Sequence, residues 1–240
     1  MNVYRLLKDN GYNVTKIDHK LITDSNVVGK GKGGIVYHLN DNSCFKIFHN
    51  SLSEDDIVRL NAFCNLKINS AVFPNSLVVV KNDVRGYTMD FVDGKIMEEC
   101  SEFDFSCFLS KYDEYMKKCL VQFSDNNIEM FDVGYTNIMF NQQTKSFQSI
   151  DVDNWIINQR DVYDSNFRWL SSAFFCYAFS LLSLSGEDFS KHFSKLIISK
   201  QDDFIDFYEC VRENVQNVLG RKLHTVGDVR EGYMEYVKKI

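Results

Sequence analysis

Proline occurs once in 240 residues, at Pro74. No Gly/Ser stretch, internal repeat or low-complexity run breaks the chain, so nothing reads as a linker and one continuous domain is expected. CxxC spacing is missing too, although there are seven cysteines. An odd, unpaired set argues against a zinc cluster or a disulfide framework and predicts buried free thiols in a reducing compartment. Basic clusters are absent: the net charge is −6, and Arg221-Lys222 and Lys238-Lys239 are too sparse to displace phosphate counterions. No nucleic-acid partner is therefore expected. The five histidines are scattered without ligand spacing. The longest uncharged run, residues 169–186, contains five serines. It is shorter than the roughly 20 predominantly apolar residues of a spanning helix, and reads as a core helix. Residues 1–20 alternate polar and apolar types, unlike a signal peptide. These absences together predict no membrane partner and a cytoplasmic location.

What is present is a globular composition, 45% hydrophobic and 25% charged, on a chain long enough for a sizeable core. Residues 20–50 look β-rich: a strand over 21–28, a glycine cluster at 29–34, a strand over 35–39, the turn Asn40-Asp41-Asn42, and a strand over 44–48. Ser53 then opens a helix with Glu54, Asp55 and Asp56 in its first turn, and Ile57, Leu60, Phe63 and Cys64 recur at helical spacing. Two strands, 77–80 and 87–92, flank a turn at 82–86, and Asp93-Gly94 ends that sheet. A periodic helix covers 105–123, and the pattern turns β-like between about 128 and 155. Helices follow near 164–185, 188–199, 202–218 and 226–238. The expected class is α+β, with a small β-rich half over 1–92 and a larger helical half over 93–240.

Four elements carry chemistry. Gly29, Lys30, Gly31, Lys32, Gly33, Gly34, Ile35 and Val36 form an ungapped GxGxxGxV. A dinucleotide fingerprint uses similar letters but runs from strand into helix, whereas here the chain continues as strand. A glycine loop between antiparallel strands lets backbone N–H groups approach phosphate oxygens unobstructed. Lys46 lies among apolar neighbours in Cys44-Phe45-Lys46-Ile47-Phe48. Twelve residues after Gly34 and across one turn, it can return beneath the loop. An edge-strand lysine facing solvent is the plainer alternative. Asp132 and Asn137 stand five residues apart, and Asp151 follows fourteen residues later. Carboxylate and amide oxygens in that asymmetric set suit Mg²⁺, which keeps the rest of its shell for water and phosphate.

In this order the parts resemble the protein-kinase superfamily, over roughly residues 21–155. The resemblance implies a two-lobed kinase-like fold that uses ATP and Mg²⁺. It makes Gly29 to Val36 the phosphate loop and Lys46 the strand lysine. Residues 87–94 become the segment linking the lobes, with Met89 as gatekeeper and the backbone of Asp90 and Val92 at the adenine. Asp132 becomes the base, and Asn137 and Asp151 the metal ligands. The lysine's acidic partner is expected to be Asp56. The acceptor is expected to be a protein Ser/Thr hydroxyl, or else a small-molecule hydroxyl; a nucleotide-binding module without catalysis is the third reading.

The departures from the family pattern are specific. Met130-Phe131-Asp132 stands for His-Arg-Asp, which argues against control by a phosphorylated activation loop. Gly134 stands where a lysine usually neutralises the transferring phosphate. Asp151-Val152-Asp153 replaces Asp-Phe-Gly; Asp153 either helps hold metal or caps the following turn, and the cap is the favoured reading. No Ala-Pro-Glu follows, so the segment after Asp151 is short. Glu98, Glu99, Glu102 and Asp104 form an acidic run that either lines an acceptor pocket or begins a solvated helix.

Overall fold

The computed structural model of the protein describes residues 2–158, 160–182 and 204–239. The fold is α+β, and the chain divides into two compact units. One comprises Met1–Asp93 with Ile150–Ile157, the other Gly94–Ser149 with Asn158–Ile240. The segment 150–157 thus clusters with the β-rich unit, although the sequence pattern places it in the helical half. Side chains cause this: Asp151 and Asp153 both bond Lys46, and Trp155 packs edge-on against Phe73 at 5.9 Å.

The first unit is built on a six-stranded sheet. Its strands are β1 (Val14–Lys16), β2 (Val27–Lys30), β3 (Gly34–Asn40), β4 (Ser43–Phe48), β5 (Pro74–Val80) and β6 (Asp83–Asp90), in the order β1-β5-β6-β4-β3-β2. Period-two alternation sorts the residues by face. Tyr37, Phe45, Val78 and Val80 join Ile17 in an apolar cluster, flanked by Ile35, Leu39 and Ile47. Val36, Lys46, Tyr87 and Leu77 are successive register partners across β3, β4, β6 and β5, so they share the opposite face. The short helix α1 (Val3–Asp9) and β1, which runs parallel to β5, occupy a region where the sequence offers no strong pattern. Helix α2 (Glu54–Phe63) starts at Ser53 as expected.

The β5–β6 turn differs from the expectation at 82–86. It sits at Lys81 and Asn82, both with positive φ (50° and 79°), the conformation that a tight hairpin of matching twist requires. Gly86 is a strand residue instead. A Cβ there would lie 1.7 Å from the Lys46 carbonyl oxygen, so this glycine exists for close strand approach, not for turning.

The second unit contains α3 (Phe105–Asp125), α4 (Tyr163–Leu182), α5 (Phe204–Leu219) and α6 (Val226–Val237). Its three-stranded sheet pairs β9 (Ile138–Asn141) with β7 (Gly94–Ile96) and β10 (Ser146–Ser149); β8 (Ile128–Glu129) and β11 (Ile156–Ile157, in the first unit) are two-residue pieces. Helix α3 buries Phe108, Leu109, Tyr112, Tyr115, Met116, Cys119 and Phe123, a stripe at helical spacing. Phe147, Phe174 and Tyr177 close an aromatic core on it, with ring centroids 5.2, 6.4 and 5.4 Å from Phe108. Among the described side chains of helix α4, Leu170, Ala173, Phe174 and Tyr177 are buried, while Phe167 and Cys176 are exposed. No helix among the described residues is long and apolar enough to cross a membrane. The helix expected at 188–199, and the end of the one expected at 164–185, lie outside the described residues. All seven cysteines are free thiols. Cys44, Cys100 and Cys119 are buried; Cys107 and Cys176 are exposed, against the expectation of buried thiols throughout.

Helix α6 begins in a reciprocal capping box. Thr225 Oγ1 accepts from the Asp228 backbone N–H at 3.0 Å, and Asp228 accepts from the backbone N–H groups of Thr225 (2.9 Å) and His224 (3.1 Å). Those N–H groups hold the Asp228 carboxyl below the usual carboxylate range. A depressed folded-state pKa stabilises above the unfolded value near 4 and loses that contribution as pH falls through the folded value. Thr225→Ala is expected to cost about 1 kcal/mol at pH 7, lowering Tm by roughly 2–4 °C. In a pH series of thermal melts, the gap between wild type and Asp228→Asn should close as pH falls below about 4.

Candidate functional site

Lys46 stands in the middle of β4, where a lysine is out of place unless it is paired. Its side chain is 7% exposed, and its Nζ donates to Asp151 Oδ1 and to Asp153 Oδ2. Tyr87, its register partner on β6, donates its hydroxyl to the other Asp153 oxygen. Burial works against the lysine's charge, but the two carboxylates outweigh it and hold the amine above its ordinary pKa. Burial also pushes the Asp153 carboxyl up to about 6, although Lys46 opposes that shift. The Tyr87 phenol is raised well above its ordinary value, by burial first and by Asp153 second. The ammonium thus sits between two carboxylates, one of them buried.

The glycine loop folds over this amine. Residues 31–33 join β2 to β3, closed by the Gly31 N–H on the Gly34 carbonyl at 2.9 Å. His49 braces the tip: its backbone N–H donates to Gly33 at 3.1 Å, and its ring nitrogen contacts the Gly31 carbonyl at 3.2 Å. The glycines have different tasks. A Cβ at Gly34 would fall 2.3 Å from the Ile47 carbonyl oxygen, so Gly34 serves strand packing. A Cβ at Gly29 would meet nothing within 4 Å, and at Gly31 and Gly33 only atoms at 3.9 Å, the Lys46 Nζ in the case of Gly33. The loop's bare surface therefore lies beside the lysine head. Val36 is the direct cross-strand neighbour of Lys46. Lys30 and Lys32 are exposed on the hairpin, Lys30 at 3.9 Å from Asp24.

Two expectations are corrected here. Asp56 is not the lysine's partner. Its carboxylate completes the α2 capping box with Ser53 and bonds Arg59 at 2.6 Å. Position N3 of a capped helix points the acid back at its own N-terminus, which commits it locally. Nor is Asp153 a cap. It lies within a 3₁₀ turn, Val152–Asn154, with both oxygens spent on Lys46 and Tyr87. At the end of β6, Met89 is half-buried, and the Asp90 side chain accepts from Asn75 at 2.7 Å. The Asp90 carbonyl faces the Cys44 thiol at 3.7 Å, and Val92 follows the strand half-buried.

In the second unit, Asp132 and Asn137 flank a tight loop. The Asn137 amide N–H donates to the Asp132 carbonyl at 3.2 Å, which leaves its amide oxygen pointing away from that bond. Asp132 and Asp151 share a rare backbone state, positive φ at 54° and 61°. Non-glycine residues held there are strained, and such strain concentrates at functional positions. The loop is clamped from helix α4 by a residue the sequence reading missed. Asn166, fully buried, accepts from the Met130 N–H and donates to the Ile128 carbonyl, both at 2.8 Å. Its signal was an amide interrupting the apolar stripe of Val162, Leu170 and Phe174. Glu129 is also buried, and accepts from Ser165 (2.9 Å), Asn158 and Arg160 (3.1 Å). Burial drives its carboxyl up, but these donors bring it below its ordinary range. An open cleft of about 570 Å³ lined by Glu129, Arg160, Asp164, Arg168 and Trp169 contains none of the expected site residues. In the acidic run, Glu102 pairs with Lys95 and Asp104 caps α3, so these two serve structure.

The donor set suits a hard cation in one respect. Asp151 spends Oδ1 on Lys46, while its side chain stays 45% exposed with Oδ2 open. No three His, Cys, Asp or Glu side chains among the described residues group as a metal site. A cation here would need phosphate or water oxygens to fill its shell, the habit of Mg²⁺. The chain matches no protein-family model and no curated protein.

Two measurements separate the roles. Gly34→Ala and Gly86→Ala should each destabilise the fold by about 3 kcal/mol or more, because backbone must move. Gly29→Ala and Gly31→Ala should melt within about 1 °C of wild type. Asn166→Leu should cost roughly 2–3 kcal/mol by stranding a buried N–H and a buried carbonyl. Hydrogen exchange would show the Met130 amide losing protection before the core of α3.

Proposed function

We propose that this protein is an ATP-dependent phosphotransferase of the protein-kinase-like type, moving the γ-phosphoryl of ATP to a hydroxyl. The supporting observation is the buried Lys46 ammonium, held by Asp151 and Asp153 and overlain by the bare edge of the glycine loop. A charged amine kept in place among apolar strands is a preformed counter-charge for phosphate oxygens. In this reading the N–H groups of the 29–34 loop and the Lys46 amine bind the phosphates, and residues 89–92 border the adenine. Asn137 and Asp151 would hold Mg²⁺, which would supply charge neutralisation on the phosphate oxygens. Asp132 orients the acceptor hydroxyl and takes its proton. With Gly134 where a lysine would neutralise charge, Lys46, Lys30 and Lys32 share that task.

The first acceptor class is a protein Ser/Thr hydroxyl. One observation favours a small-molecule hydroxyl as the second: only residues 152–162 separate Asp151 from α4, and part of that stretch is tied to Glu129 through Asn158 and Arg160. Little chain remains there to form a peptide platform.

Purified protein with γ-labelled Mg-ATP, a cell lysate and a metabolite panel tests this directly. Label is expected on a protein or a metabolite, with Asp132→Asn lowering kcat about 10²–10⁴-fold and Asp151→Asn abolishing the Mg²⁺ response. Binding of Mg-ATP without turnover, unchanged in Asp132→Asn, would replace this reading with a nucleotide-binding module.

A further inference from the structure

We infer that Asp153 is the permanent positioning partner of Lys46, that Tyr87 orients it, and that Asp151 is the lysine's exchangeable partner. This rests on the phosphotransferase reading and names how its phosphate-binding lysine is held. The two carboxylates differ in three ways. Asp153 is 14% exposed at its side chain, Asp151 45%. Asp153 has both oxygens engaged, one by the Lys46 amine and one by the Tyr87 hydroxyl; Asp151 has one. Asp151 alone sits in a strained left-handed backbone, φ 61°, at the mouth of the turn.

Separating a buried ammonium from a buried carboxylate leaves two unpaired charges in a low-dielectric site, which is strongly disfavoured. Releasing a half-exposed carboxylate is not, because water or a cation replaces the lysine. When phosphate reaches Lys46, the bond to Asp151 is the one to yield, and it frees that carboxylate for metal. Asp153 stays and keeps the amine aimed at the glycine loop. Helix α2 has no part in this, since Asp56 is spent on Ser53 and Arg59. Lysine geometry is therefore set within the 151–153 turn and strands β4 and β6, with no dependence on a movable helix.

Isothermal titration of ATP and of adenosine, each with Mg²⁺, into wild type, Asp153→Asn, Tyr87→Phe and Asp56→Asn tests the assignment. Asp153→Asn should weaken ATP about tenfold, the size of one charge-assisted hydrogen bond, and leave adenosine unchanged. Tyr87→Phe should weaken ATP by roughly threefold, as expected for losing one orienting hydrogen bond. Asp56→Asn should stay within about twofold of wild type, as a surface charge change does. Simple charge removal near phosphates predicts the opposite sign, so equal or tighter ATP binding by Asp153→Asn overturns the inference. Equal loss in Asp56→Asn does so as well. If Asp153→Asn does not fold, Tyr87→Phe decides alone: ATP affinity identical to wild type overturns the assignment. Wild type that binds adenosine and ATP equally well, or neither, instead removes the phosphotransferase reading itself.

Discussion

A lysine ammonium buried in a β-sheet is the constraint around which the first unit is arranged. Its charge is tolerable only because two carboxylates reach it, and those carboxylates come from a segment more than a hundred residues downstream. Residues 150–157, which carry them, cluster with the β-rich unit. Trp155 packs that segment against Phe73, and the Tyr87 hydroxyl donates to Asp153. The bare Gly86 lets β6 approach the Lys46 carbonyl closely, in the register that sets Tyr87 opposite Lys46. Removing Asp153 or Tyr87 leaves a buried charge or polar group without its partner.

The second unit solves a different problem with the same means. Its loop from Met130 to Asn137 carries a strained Asp132 and is exposed along part of its length. Order is imposed from beneath, by the Asn166 amide on two backbone groups and by Asn137 on the Asp132 carbonyl. Glu129 gathers side-chain donors from Asn158, Arg160 and Ser165. The buried Asn166 amide thus satisfies backbone groups of an irregular segment, where a regular hydrogen-bond ladder is not available.

Some of this was readable from the chain. Short apolar runs bounded by turn residues place the strands at 35–39 and 44–48 to within a residue, and Ser53 marks the start of α2, because these signals are local; the strand expected over 21–28 is instead two 3₁₀ turns followed by β2 at Val27–Lys30. The β5–β6 turn lies at Lys81 and Asn82, not at 82–86, because Gly86, a turn residue by type, here admits a neighbouring backbone. Asp56 was misassigned for a related reason: an acid at N3 of a helix has a local use, the capping box, that competes with any distant one. Asn166 and Tyr87 left faint traces, an amide in an apolar stripe and a tyrosine opposite a lysine, and neither names a partner.

By itself, the order of the sequence singled out a glycine hairpin, one lysine amid apolar strand residues, and acids and an amide at set intervals. Residue type and local spacing suffice for that, since they follow from backbone geometry over a few residues. Only the tertiary structure decided who pairs with whom. That Lys46 takes Asp153 and Asp151 and leaves Asp56 to its helix depends on long-range packing, on which carboxylate loses its water and finds a charge to replace it.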